Sequence, residues 1–333
     1  KVSNLFTGED AMETEKGYEF EYEEQGLAGA EFSIHARETI YSPDGQMDSE
    51  GNRIIRFEKD ALVGTIVTDE KGKGTLNNLP IGKFYIKETK TGDSFVLDPK
   101  EQDFEITYQG QEVAVDYVTK EIKNQRQKVE IEVLKRSEAT KEPLAGVSFG
   151  LYAGEDLLNA AGEIVVKKDE LVAVGKTDEE GKLKYQDTIP HGKYYLKELE
   201  NLPGYLPFEE KIEIDASYTD PKLEVISIQK EVENQPTKVE ITKTDITGEK
   251  EVEGAKLQIL DKEGDVVEEW TSTKEPHLIY ALKPGKYILH EEQAPTENGY
   301  VKAEDVEITV EETGEIQKVS MKDDHSKIEI TKT

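Results

Sequence analysis

The sequence predicts an all-β protein of three tandem antiparallel β-sandwich domains arranged in a rod. Three observations carry this expectation. One set of markers recurs three times in the same order, the segments between turns alternate apolar and polar residues, and helical periodicity is nearly absent. The first marker is a small-residue turn: LAGAEF from Leu27, LAGVSF from Leu144 and VEGAKL from Val252. The second is GKFYIKE from Gly82, GKYYLKE from Gly192 and GKYILHE from Gly285, each after a proline and followed by an aromatic at Phe95, Tyr205 or Tyr300. The third is NQRQKVEI from Asn124, NQPTKVEI from Asn234 and DDHSKIEI from Asp323. A repeat of about a hundred residues is a domain, whereas solenoid repeats run to about 20–50.

Within each unit, segments such as KVEITKTD, AKLQILD and VEITVEE have the two-residue period of a half-buried strand. TDEKGKG, TDEEGKL and DKEGD supply turn chemistry between them. The one place that suggests helical turns is DLLNAAGE (156–163), an insertion in the second unit. The expected division is 1–126, 127–236 and 237–325, followed by 326–333 as the first strand of a further, truncated unit. The joints NQRQK and NQPTK are a few residues each, which favours a rod over a cluster.

Composition narrows the function. The 333 residues carry 42 basic and 72 acidic side chains, a net charge of −30 that repels phosphate backbones and anionic membranes. Nucleic acid is therefore not an expected partner. The 15 Tyr and 9 Phe, set in alternating runs, argue against disorder. With no cysteine there is no disulfide, thiolate metal site or cysteine nucleophile. No run of 18 apolar residues is present, so no membrane insertion is expected, and Lys1 does not begin a signal peptide.

The candidate chemistry lies in polar residues that fall in phase with apolar ones. In KVEITK the inward row is Val239, Ile241 and Lys243; in VEIEVLK it is Val129, Ile131, Val133 and Lys135. Tyr287, Leu289 and Glu291 form a similar row, as do Tyr194, Leu196 and Glu198. A lone buried ammonium or carboxylate costs several kcal/mol, so these groups are expected to be paired or neutral. A lysine at a strand end can instead reach solvent, but its recurrence beside a glutamate and a terminal Asn or Asp favours burial.

Turn motifs of the type GxxxLxGAxF with a lysine nine residues before the Leu, strands of the type YxLxExxAPxGY and a strand-final Asn together resemble the collagen-binding-protein B-type (Cna-B, SpaA-like) domains of Gram-positive surface proteins and pilins. The resemblance covers nearly the whole chain. It implies a prealbumin-like sandwich and, as in many members, a spontaneous amide between the lysine and the Asn or Asp, promoted by the glutamate. Physical chemistry makes this intelligible. A buried lysine is pushed toward its nucleophilic neutral form, and a buried carboxylic acid can polarise the acceptor carbonyl and shuttle protons. Contact in a dry core supplies proximity. The event happens once per molecule, so the chain is not expected to be an enzyme, and no cofactor or metal is implied.

Carried over by position, the resemblance assigns Lys135, Asn234 and Glu198 in the second unit and Lys243, Asp323 and Glu291 in the third, with Asp324 out of register. The first unit has Glu88 and Asn124, but Tyr18 stands nine residues before Leu27. Lys16 opens the strand YEFEY (18–22), whereas the other lysines close theirs. Lys1 is the preferred partner of Asn124, with residues 7–17 as an insertion, and an unlinked first unit is the remaining alternative.

Other signals weigh less. DGQMDSEGNR (44–53) spaces acids like a calcium loop, but Ser49 and Ile55 stand where Gly and Glu belong, so two successive turns are expected. Trp270 is read as half-buried packing in preference to a ligand platform. The five histidines have no zinc spacing. The expected role is the stalk or backbone segment of a cell-wall-anchored adhesin or pilin-like protein, extracellular, contacting adjacent domains of its parent. The alternative is a module whose first domain binds a host extracellular-matrix protein or glycan. DPK at 98–100 lacks the tyrosine of a sortase acceptor and no LPxTG signal is present, so anchoring is expected from sequence beyond this segment. KIEITKT (327–333) repeats KVEITKT (238–244), and its Lys332 is expected to remain a free amine.

Overall fold

The computed structural model describes residues 2–14, 17–42, 44–110, 117–159, 162–326 and 329–332. Its described residues form strands, turns and a single 3-10 turn at Thr296–Asn298. The first unit contributes β1 (Val2–Thr14), β2 (Gly17–Gly26), β3 (Glu31–Ala36), β4 (Ile40–Tyr41), β5 (Ile55–Phe57), β6 (Leu62–Val67), β7 (Gly82–Lys90) and β8 (Gln102–Ile106). The second contributes β9 (Lys128–Ser137), β10 (Ser148–Ala153), β11 (Leu157–Leu158), β12 (Ile164–Val166), β13 (Leu171–Lys176), β14 (Lys182–Lys184), β15 (Lys193–Glu200), β16 (Ile212–Asp215) and β17 (Val225–Asn234). The third contributes β18 (Lys238–Asp245), β19 (Lys256–Leu260), β20 (Val266–Thr271), β21 (His277–Tyr280), β22 (Gly285–Gln293), β23 (Val306–Val310) and β24 (Ile316–Asp323).

Each unit has a four-stranded antiparallel sheet of the same plan, β6-β3-β7-β8, β13-β10-β15-β16 and β20-β19-β22-β23. In the second and third units a three-stranded sheet faces it, β14-β9-β17 and β21-β18-β24. The first and last strands of these units pair in parallel, β9 with β17 and β18 with β24. Every other pairing of named strands is antiparallel. Alternation explains why the sheets close on each other. In β9 the residues Val129, Ile131, Val133, Lys135 and Ser137 are all buried, while the residues between them are not. Three cores result, one per unit, centred on Phe32 and Phe84, on Phe149 and Leu196, and on Leu257 and Leu289.

Two features differ from the sequence expectation. The described residues of the segment, 156–159 and 162–163, include no helical turn: β11 and β12 pair as a short hairpin, Leu157 with Val166 and Leu158 with Ile164. Leu157 and Val166 are buried in the second core, and the Asn159 Oδ1 accepts the Glu163 N–H at 2.9 Å to tighten the turn. An inward Leu and Val with a local Asx turn outweigh the helix propensity of the intervening alanines.

The second difference concerns YEFEY. β1 and β2 pair as a hairpin, and β2 continues the larger sheet of the second unit through the pairing of Gly17 with Ala173. Phe20, only 6 % exposed, belongs to the second unit's core. The Tyr18 hydroxyl donates to Glu170 at 2.8 Å and the Tyr22 hydroxyl to the Thr188 carbonyl at 2.7 Å. Gly17 is required at the contact: its φ is +120°, and a Cβ would lie 2.1 Å from the Val172 carbonyl oxygen. The joint is further tied by Gln127, fully buried, whose Nε2 donates to the Asp220 and Leu223 carbonyls at 2.8 Å each.

At 44–53 and at Trp270 the structure matches the expectation. Asp48 accepts turn N–H bonds from Glu50 and Asn52, and the Asp44 Oδ1 accepts that of Gln46, so 44–53 is a pair of turns. Trp270 packs on the third core and stacks on His277 with centroids 4.3 Å apart.

Candidate functional site: buried lysine triads

Parallel pairing of first and last strands sets each lysine beside its acceptor. In the second unit Lys135 is in register with Val232, and Asn234 with Ser137. In the third Lys243 is in register with Met321, and Asp323 with Asp245. Both acceptors therefore lie two residues beyond the lysine's register partner, on the same inward row.

The second site is buried. Lys135 is 0 % exposed, and the side chain of Glu198, 2 % exposed, comes from β15 in the opposite sheet. Lys135 Nζ lies 3.1 Å from Glu198 Oε2 and hydrogen-bonds Asn234 Oδ1. Asn234 Nδ2 donates to Glu198 Oε1 at 2.9 Å and to Asn201 Oδ1 at 2.7 Å. The ammonium is flanked by the rings of Phe149 and Phe208, 5.7 and 5.6 Å away. Burial lowers the Lys135 pKa from the usual lysine value, against the opposing pull of Glu198.

The third site repeats the plan. Lys243, 2 % exposed, lies 3.0 Å from Glu291 Oε1 and pairs with Asp323 Oδ1. Glu291 is anchored by the Ala303 N–H, which donates to its Oε2 at 2.6 Å. Burial raises the Asp323 pKa from the usual carboxylate value, opposed by its hydrogen bond to Lys243. The uncharged acid is the form that an amine can attack.

In the first unit Glu88 and Asn124 meet as expected. Asn124 Nδ2 donates to Glu88 Oε2 and Thr91 Oγ1 at 3.0 Å each and to the Val96 carbonyl at 2.6 Å. Lys1 and Lys16 lie outside the described residues. Tyr18, at the position of a lysine in the other units, turns to Glu170. Lys332 is exposed.

The aromatics that follow each glutamate have a role the sequence did not disclose. Phe95, Tyr205 and Tyr300 form bridges with Arg126, Pro236 and His325, each two residues past the acceptor. They fix the backbone that carries Asn124, Asn234 and Asp323. Two polar residues also escaped sequence reasoning, Thr91 and Asn201, both three positions after a glutamate. Their signal was available: the corresponding third-unit residue is Ala294.

Buried amine, acceptor carbonyl and carboxyl in mutual contact are the elements of amide formation. The SpaA prealbumin-like fold domain matches residues 19–121, 129–231 and 237–325. Among solved structures, the TIE protein of Bacillus anthracis is 24 % identical with a TM-score of 0.49, over 92 % of this chain and 55 % of that one. The chain thus spans little more than half of that protein's length. The shaft pilin SpaA of Lactobacillus rhamnosus GG is 14 % identical (TM-score 0.33, 61 % of this chain and 99 % of that one). BcpA, the major pilin subunit of Bacillus cereus, is 17 % identical (TM-score 0.34, 91 % and 96 %). No curated protein matches the chain.

Proposed function

The chain belongs to the SpaA family of prealbumin-like fold domains, and from that premise we propose that it is a structural stalk segment of a Gram-positive cell-surface, pilin-like or adhesin protein, stiffened by self-formed amide bonds. The observation that carries the proposal is the duplicated triad: a buried lysine, a buried glutamate from the opposite sheet and a strand-final Asn or Asp, at one register in two units.

In the second unit the neutral Lys135 amine attacks Asn234 Cγ. The Nζ–Cγ bond forms, the Cγ–Nδ2 bond breaks, and a proton passes from Nζ to Nδ2 through the Glu198 carboxyl, so that ammonia leaves. In the third unit Lys243 and Asp323 react in the same way with loss of water. The products join first to last strand, so load entering along β9 passes at Lys135 into the end of β17 and does not pull on the strands that lie between them in sequence.

For the first unit we propose Lys1 as the partner of Asn124. The Lys135 and Lys243 carbonyls accept the N–H groups of Leu144 and Val252, and Val2 pairs with Gly26, one residue short of Leu27. This favours Lys1 over Lys16.

Intact mass and peptide mapping test the proposal. The expected deficits are about 17 Da for the Lys135–Asn234 link and about 18 Da for the Lys243–Asp323 link. A chain of full calculated mass refutes it.

A second reading, a first unit that binds a matrix protein or glycan, is favoured by exposed Tyr41, Met47, Ile54, Ile55 and Leu62 around its loop insertion. Screening the whole chain against immobilised matrix proteins and glycans tests it, and absence of binding removes it.

A further inference from the structure

The position three residues after each glutamate varies with the acceptor. It is Thr91 where the acceptor is Asn124, Asn201 where it is Asn234, and Ala294 where it is Asp323. Both polar residues take a hydrogen bond from the acceptor's amide nitrogen, Thr91 Oγ1 at 3.0 Å and Asn201 Oδ1 at 2.7 Å. The carboxylic acceptor has no such nitrogen, and its counterpart is an alanine.

Asn201 is itself oriented by main-chain groups that allow one arrangement. The Leu202 N–H, which can only donate, reaches its Oδ1 at 2.7 Å, and its Nδ2 donates to the Tyr205 carbonyl, which can only accept, at 2.6 Å. The atom of Asn234 that faces Asn201 Oδ1 must then be the NH2 group, since the reverse would set two carbonyl oxygens 2.7 Å apart. Asn234 Oδ1 is thereby turned to Lys135, and its nitrogen to Glu198 Oε1.

We propose that Asn201 is a positioning residue for the link, selecting the orientation of the Asn234 amide in which the departing nitrogen faces the Glu198 carboxyl. In that orientation the proton released by Lys135 Nζ, as the Nζ–Cγ bond forms, travels through Glu198 to Nδ2, and the Cγ–Nδ2 bond breaks to free ammonia. With the amide reversed, Glu198 faces and can polarise the oxygen, but no group is placed to protonate the leaving nitrogen. The inference rests on the cross-link reading given above.

The test is cell-free synthesis of the full chain, pulse-labelled, with the Lys135–Asn234 peptide followed by mass spectrometry over time. Asn201→Ala is expected to slow the link about tenfold, the kinetic equivalent of one lost hydrogen bond. Asn201→Thr, which supplies the acceptor hydroxyl that Thr91 supplies in the first unit, is expected to restore most of the rate. In an Asn234→Asp background, Asn201→Ala is expected to change nothing, because a carboxyl group has no leaving nitrogen to orient. Equal slowing in both backgrounds marks a merely structural role and overturns the proposal. So does an Asn201→Ala chain that links at the wild-type rate while wild type links. A wild type that never links overturns the cross-link reading together with this one.

Discussion

Glu198→Ala removes the carboxylate that contacts both Lys135 and Asn234 and leaves the strands that carry them in place. The second unit is expected to stay unlinked, and the chain to lack the deficit of about 17 Da for that link. The mechanical consequence is larger. Lys135 and Asn234 are 99 positions apart, so an intact link hides about 330–360 Å of contour at roughly 3.3–3.6 Å per residue. Single-molecule pulling on the two chain ends is expected to show no such release from the wild-type second unit and one added release of that size, less the folded span, in the variant. Opening the loop also restores about 4.7 kcal/mol of denatured-state freedom by the chain-entropy relation, equivalent to about 20 °C in melting temperature for a unit of this size. Lys135→Met, which forms no link, should give the same added length. A wild type that already releases this length refutes the reasoning, as does a Glu198→Ala chain that stays as short as wild type.

Four further outcomes follow from the geometry. Asp323→Ala should abolish the third-unit link and its mass deficit of about 18 Da while leaving the Lys135–Asn234 peptide intact, which peptide mapping reads directly. In the unlinked Glu198→Ala chain, burial keeps the folded Lys135 pKa below its ordinary 10.5, so the unfolded state binds a proton that the folded state does not. Stability in urea should therefore rise with pH through the window between the lowered pKa and 10.5, and Lys135→Met should flatten that slope. Gly181 has φ +72° and a Cβ there would lie 2.4 Å from the Lys135 carbonyl oxygen, so Gly181→Ala should cost about 1–3 kcal/mol, checked by urea midpoint. Phe20→Ala empties a buried site in the second core and should cost about 3–5 kcal/mol, with hydrogen exchange rising in β2 and β13 together.

Much of the fold was legible because a strand's period is short and unforgiving. The row Val129, Ile131, Val133 admits one inward continuation, and that is Lys135. The row Tyr287, Leu289, Glu291 worked the same way. The destination of YEFEY was not legible, since alternation says which face of a strand is apolar but not which sheet receives it. Phe20 in the second unit's core depends on contacts more than a hundred residues away in sequence. The parallel pairing of first and last strands was likewise hidden, because each strand reads the same in either direction. The hairpin at 156–163 was missed where two alanines and two leucines gave a helical impression that the Asn159 turn overrides. At the sites, lysine, glutamate and acceptor were found by phase, whereas Thr91 and Asn201 emerged only when one position was compared across three units.

The glutamate of each triad stands on a different sheet from its lysine and acceptor. Neither sheet alone contains the reactants, and a register slip of one residue in β17 would turn Asn234 away from the core. The amide can therefore arise only after both layers have closed in the correct alignment. A linked chain is a permanent record that its unit once folded correctly, and a preparation's linked fraction counts the molecules that did.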